Sequence, residues 1–313
     1  MKAPANLIDL TRMVCGAHAQ TLDRSLHRLL LKPDDEAVHD VRVTCRRLRV
    51  VLKLIEPLYR KRMMRAARGR FRALLQALGP IRDAEVLGER AHGLSAKHQT
   101  AGLDELARLY AAQAELERIK AVATVERGHF VHLPRLIEAL LRAPALSERN
   151  EARYSKMPLR KFARLAISER LNEIKRFSHL HAKSSAHKLH ALRIAFKKLR
   201  YTGEFFSSAF PLKPLVKAAE KYQELLGALN DAEVAIATFE PCVRRRGNTA
   251  PESVDAALRT LVKSAYAERN ELRETFAANW NEGALKKLRR LANHRAEAGV
   301  NSLSMTSMKS QKL

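Results

Sequence analysis

Apolar residues recur along most of this chain at intervals of three and four, the spacing of one face of an α-helix. In LDELARLYAAQAELERIKAVATVE (103–126) and VDAALRTLVKSAYAERNELRETFAANW (254–280), strong helix formers fill most of the other positions. Alternating strand patterns and Asn-Gly or Asp-Gly hairpin turns are absent from the sequence. Proline and glycine punctuate the pattern, most clearly at Pro33, Pro57, Gly79-Pro80, Pro158, Pro211 and Gly227. These breaks predict helices over 5–31, 36–56, 59–78, 83–127 (interrupted near Gly93–Gly102), 132–142, 158–182, 186–209, 213–227, 231–246 and 252–295. Residues 143–157 read as a polar linker, and the Ser-rich end NSLSMTSMKSQKL reads as a frayed tail. The fold class predicted is all-α.

The pattern is also written twice. VHDVRVTCRRLR (38–49) returns as LHALRIAFKKLR (189–200), and LGPIRDAEV (78–86) returns as LGALNDAEV (226–234). His39 lies 44 residues before Asp83, and His190 lies 41 before Asp231. Two landmarks in one order at nearly one separation imply an internal duplication. Residues 1–142 are then a first antiparallel helical bundle, 143–157 a linker, 158–295 a second bundle and 296–313 a flexible tail. Two helical bundles related by pseudo-two-fold symmetry are expected to bring their basic helices to one shared central groove.

Helical geometry turns the repeated segment into a row of cations. At 100° per residue, His39, Arg42, Arg46, Arg49 and Lys53 fall within an arc of about 80°. Val41, Leu48, Val51, Leu52 and Ile55 form the opposite, apolar stripe, and Arg47 flanks the seam. In the second copy His190, Arg193, Lys197 and Arg200 share a face, Leu192, Leu199 and Phe206 oppose it, and Lys198 takes the flanking place. The following segments add Arg65, Arg68 and Arg72 in one half and Lys217 and Lys221 in the other, at helical spacing. No acid within the arc relieves the repulsion. A linear polyanion would, with each arginine forking onto phosphate oxygens.

Composition points the same way. The chain of 313 residues carries 58 Lys+Arg against 33 Asp+Glu, a formal charge of +25. Such an excess favours a polyanionic partner: nucleic acid, an anionic membrane surface or a smaller phosphate polymer. Cys15, Cys45 and Cys242 are scattered, which argues against a disulfide framework and for a reducing, cytoplasmic setting. No window approaches the roughly 20 apolar residues of a membrane span.

His39 and His190 invite a metal reading, but the groups around them are cationic and would repel a metal ion. A hydrogen bond to phosphate suits them better, and a buried histidine holding the hairpin is the alternative. Asp83 and Asp231 follow a Leu-Gly step, so they are expected to cap the next helix, or else to orient a neighbouring arginine. No phosphate loop of the GxxxxGK[ST] kind and no paired-carboxylate metal site is present, so neither a catalytic residue nor a cofactor is expected.

The segments HDVRVTCRRLR and HALRIAFKKLR, with LGPIRDAEV and LGALNDAEV downstream, resemble the CHAD family, the conserved histidine α-helical domain. The resemblance covers about residues 5–295. It implies two pseudo-symmetric four-helix bundles around a basic cavity that binds long-chain inorganic polyphosphate, with phosphate or sulfate able to occupy the site, and association with polyphosphate granules. It assigns phosphate contacts to His39, Arg42, Arg46, Arg47 and Arg49, and to His190, Arg193, Lys197, Lys198 and Arg200. Lysine in place of arginine in the second copy implies a less exacting half-site. The ExExK strand of the CYTH triphosphatases often fused to this domain is absent, so hydrolase activity does not carry over.

Three other functions compete with a non-enzymatic polyphosphate binder. Charge permits nucleic-acid binding, although aromatics make up only 5% and none interleaves with the basic arc. A phosphatase or polyphosphate kinase lacks its motif. A basic helical scaffold that docks an acidic protein stays open.

Overall fold

Several helices begin by the same chemistry, a side-chain oxygen that accepts a free backbone N–H of the first turn. Asn6 accepts from Asp9 at the start of α1 (Leu7–Leu31), Asp34 from Ala37 at the start of α2 (Asp35–Leu54), and Ser185 from Lys188 at the start of α8 (Ala186–Phe206). Between them run α3 (Lys61–Ala77), α4 (Gly79–His98), α5 (Ala101–Arg127), α6 (Leu133–Arg142) and α7 (Leu159–Lys175). The chain finishes with α9 (Lys213–Arg245), α10 (Glu252–Asn279) and α11 (Glu282–Glu297). The computed structural model describes residues 4, 6–59, 61–98, 101–142, 157–245 and 252–297. Strands are absent among the described residues. The predicted tail beyond 297 and nearly all of the predicted linker lie outside them.

Helix α2 packs on α1 and α3, and α6 closes the ring by packing on both of those. In the second half α8 packs on α7 and α9, and α11 closes that ring in the same way. Two four-helix rings therefore use their elements in the same order, and α2 against α8 joins them. Helices α4 and α5 form one long hairpin, and α9 with α10 forms another. One apolar core runs through both rings, from Leu10 and Phe71 in the first to Phe196 and Leu288 in the second. A separate core joins the far parts of the two hairpins through Leu87, Leu94, Leu106, Phe239, Leu258 and Leu261. No helix among the described residues is long and apolar enough to cross a membrane.

The structure departs from the sequence reading in four places. Asp83 and Asp231 cap nothing: each lies inside a helix, α4 and α9 respectively. Helix α9 also runs unbroken through Gly227–Asp231, where two helices were expected. Pro80 explains why the first half breaks between α3 and α4 at the same motif, since it lacks the N–H that would continue the ladder. Ala228 has that N–H. The single helix expected over 252–295 stops at Asn279, because Trp280 turns in to donate its indole N–H to the Phe177 carbonyl at 2.9 Å and Asn281 caps Ala284. Helix α7 ends at Lys175 rather than at 182. The Phe177 carbonyl is taken by Trp280 and the Ala182 carbonyl by Arg273, both from outside the segment.

Helices α5 and α10 meet at Gly102, where an added Cβ would overlap the Ser253 carbonyl oxygen. A backbone oxygen cannot move aside as a side-chain tip can. Gly102→Ala is therefore expected to cost about 1–3 kcal/mol in chemical denaturation, and an unchanged midpoint would show that the helices are free to separate.

Candidate anion-binding site

The apolar stripe of α2 is sunk in the core: Val41, Leu48, Val51 and Leu52 are all buried. The same holds on α8 for Leu192, Phe196, Leu199 and Phe206. With those faces fixed, the cationic faces of two helices that pack on each other must share one space. Arg46 sits at its centre. Its charge acts on Arg42 and Arg49 of its own helix and, across the junction, on Arg193 and Lys197 of α8. Arg49 in turn feels Arg72 and Arg68 of α3, so the row continues onto the next helix.

These groups are half-buried, and most lack a counter-ion. Among the described residues, Arg46, Arg49, Arg193 and Lys197 have neither an ion pair nor a hydrogen bond, and the Nε of Arg193 is fully buried without an acceptor. Arg42 has one bond, from Nη1 to the Leu78 carbonyl at the α3–α4 joint, at 2.5 Å. Burial is the main cause of the altered acidity of Arg42, Arg49, Arg193 and Lys197. It brings Arg42 down to about 10 and Lys197 down to about 7, with Arg193 and Arg46 adding repulsion at Lys197. Arg193 is lowered by burial and Arg49 likewise. Three acids oppose these effects from the hairpins. Asp83 and Glu85 on α4 favour the charged form of Arg42, and Asp231 on α9 favours those of Arg193 and Lys197.

The remaining predicted residues surround this centre without joining it. Lys53 pairs with Glu56 at 2.5 Å, and Arg68 reaches the same carboxylate at 3.5 Å. Arg47 pairs with Glu204 at 2.9 Å across the two rings. Arg200 pairs with both Glu204 and Glu220 at 2.8 Å, and Lys198 pairs with Glu173. Arg47 and Lys217 also line a separate cleft of 880 Å³ between α1, α2, α8 and α9. Arg65, Arg72 and Lys221 are exposed. The two histidines are exposed as well, which removes the alternative of a buried hairpin histidine. His190 Nδ1 donates to Asn230 Oδ1 at 2.6 Å, so Nε2 is the nitrogen left for a ligand.

Sequence reasoning missed three neighbours of the site. Arg82 on α4 adds a cation beside Arg42, Asn230 orients His190, and Tyr201 lies buried within the field of Arg46 and Arg200. Arg82 and Asn230 hold the same place in the repeated motif, one residue before the aspartate, and that register was the available signal. Tyr201 follows the basic motif directly but carried no mark of its own.

An all-helical domain built from two joined four-helix rings is the class that these elements define. The model of the CHAD domain matches residues 14–240, and the chain belongs to that family. Two solved structures share its fold. The crystal structure of the CHAD domain from the plant Ricinus communis aligns with a TM-score of 0.64 at 21% identity, covering 93% of each chain. PptA from Streptomyces chartreusis aligns with a TM-score of 0.64 at 18% identity, covering 91% of this chain and 100% of its own. No curated protein matches the sequence.

The Lys197 ammonium titrates near 10.5 in an unfolded chain and about 7 here, so the unfolded state binds the extra proton between those values. The cost of desolvating the cation is complete below about pH 7 and vanishes as pH climbs to about 10.5. Lys197→Met should therefore raise the melting temperature at pH 6 by a few degrees and lose that gain near pH 10. An equal gain at both pH values would show that the ammonium is not desolvated.

Proposed function

We propose that this chain binds long-chain inorganic polyphosphate, without catalysing a reaction, along a groove walled by the cationic faces of α2 and α8. One observation carries the reading. Arg46, Arg193 and Lys197 converge from two helices, half-buried and without a carboxylate partner, while cations farther out are neutralised by Glu56, Glu173, Glu204 and Glu220. A thin, flexible phosphate chain can thread between helices to reach such groups. A stiff duplex meets chiefly the exposed cations outside.

The repeated H-x-x-R helices support a duplicated site with two unequal halves. Arg49 has no counter-ion, whereas Arg200, its counterpart, is held by two carboxylates. Phosphate contacts then fall to Arg42, Arg46, Arg49, Arg193 and Lys197 first, with Arg72 and the two histidines extending the track. The acids support a reading of binding rather than catalysis. Asp83 and Asp231 act on the cationic row, and Glu85 and Glu233 are each held by a buried arginine, Glu85 acting on Arg42 as well, so the repeated acids serve arginines rather than a metal ion. Such a protein would gather where the polymer does, on polyphosphate granules in the cytoplasm.

Titration with long-chain polyphosphate and with duplex DNA at equal phosphate concentration tests the proposal, at about 150 and about 500 mM salt. Polyphosphate should bind more tightly, with an affinity that falls steeply with salt. The Arg42→Ala/Arg46→Ala/Arg193→Ala/Lys197→Ala variant should lose about 100-fold or more, since each charge-assisted contact is worth about 1.5–3 kcal/mol. Equal affinity for both polymers, or indifference to the four substitutions, would reduce the interaction to nonspecific attraction.

A further inference from the structure

The repeated motif carries a second acid, and in each half it is held by an arginine of the return helix. Glu85 on α4 accepts a hydrogen bond from Arg118 Nη2 at 3.0 Å, and Glu233 on α9 accepts one from Arg273 Nη2 at 2.6 Å. The arginines stand on α5 and α10, the return helices of the two hairpins. Their side chains are only 12% and 16% exposed. Each guanidinium reaches on to the beginning of a cationic helix. Arg118 Nη2 also bonds Asp35, the first residue of α2. Arg273 Nη1 donates to the carbonyls of Ala182 and Ser184, at 2.7 and 2.8 Å, in the turn that leads into α8.

The same connection is thus made in both halves, from hairpin acid through buried arginine to the N-terminal end of the cationic helix. The last acceptor differs, a carboxylate in one half and two carbonyls in the other, yet the bridge lands in the same place. We propose that Arg118 and Arg273 are positioning residues that set the inclination of α2 and α8 and thereby hold Arg46 opposite Arg193 and Lys197. The physical need is plain. The apolar stripes anchor α2 and α8 along the core, but repulsion between their facing rows acts to turn them apart. A tie at the N-terminal end, to the hairpin that also brings Asp83 or Asp231, opposes that motion. A planar guanidinium fixes two acceptors in direction as well as distance, which a lysine ammonium does not.

The consequence for ligand rests on the polyphosphate reading, and the geometric part is measured without ligand. Spin labels on His39→Cys and His190→Cys, both exposed positions, report the separation of the two helices in a Cys242→Ser background. Cys15 and Cys45 are buried, with thiols pushed up to about 12, and stay unlabelled. In Arg118→Met/Arg273→Met the distance distribution should shift or broaden while far-ultraviolet circular dichroism keeps its helical amplitude. Arg118→Lys/Arg273→Lys should not restore it. An unchanged distribution overturns the proposal. Should the Met variant fail to fold, Glu85→Ala/Glu233→Ala, which removes the hairpin acceptor of each arginine, is read by the same criterion.

Unlabelled protein with both histidines intact then gives the functional arm. Polyphosphate affinity should fall about 10-fold in the Met variant with a shallower salt dependence, because fewer cations engage at once. In an Arg193→Ala/Lys197→Ala background the Arg273→Met effect should shrink, as expected for a residue acting through those two. Shifted distances with unaltered affinity would overturn the link to binding and leave the polyphosphate reading standing. Wild-type protein that fails to prefer polyphosphate over DNA would sink that reading instead, and the distances alone would decide the clamp.

Discussion

Two rows of like charge, on α2 and α8, are held within each other's fields by apolar burial on the far side of each helix, and the rest of the structure is arranged around that repulsion. Two unit charges interact by about 4 kcal/mol at 4 Å in a medium of effective dielectric near 20, and by about a half to a third of that at twice to three times the distance. Each fully buried Leu or Phe side chain contributes about 1.5–3 kcal/mol. Leu192, Phe196, Leu199, Phe205 and Phe206 are all buried along α8 alone. The apolar term is the larger one, so the cations stay together without being neutralised.

Carboxylates show where neutralisation is used and where it is withheld. Glu204 ties Arg47 of one ring to Arg200 of the other, a pairing between halves that closes one flank of the junction. Glu56 and Glu173 quiet Lys53 and Lys198 at the margins. Asp83 and Asp231 approach the row without forming an ion pair to it among the described residues, and they moderate the field without filling it. What remains at the centre is a small set of cations partly stripped of water. A partially desolvated guanidinium binds an anion more strongly than an exposed one, because less hydration is lost on contact and the local dielectric is lower.

Much of this was legible in the sequence, and the limits are physical. The apolar stripe opposite His39, Arg42, Arg46 and Arg49 identified both the buried face of α2 and its cationic face, because one periodicity dictates both. The helix pairings that close the rings were not written in any one segment. The boundary at Gly227 was misread because Leu-Gly followed by an acid is a stop signal in isolation. In the folded chain Ala228 keeps its N–H and α9 continues, whereas Pro80 enforces the break in the other copy. Carboxylates such as Glu204 and Glu220 could not be assigned to Arg47 and Arg200 beforehand. Ion pairs between helices depend on packing angles, which a helical wheel does not contain.

The structure of a complex with polyphosphate of defined length tests the central claim most directly. Phosphate oxygens within hydrogen-bond distance of Arg46, Arg193 and Lys197, on one chain passing between α2 and α8, are the result this account predicts. A polymer lying along the exposed cations of α3 or α11, with Arg46 and Arg193 untouched, would contradict it.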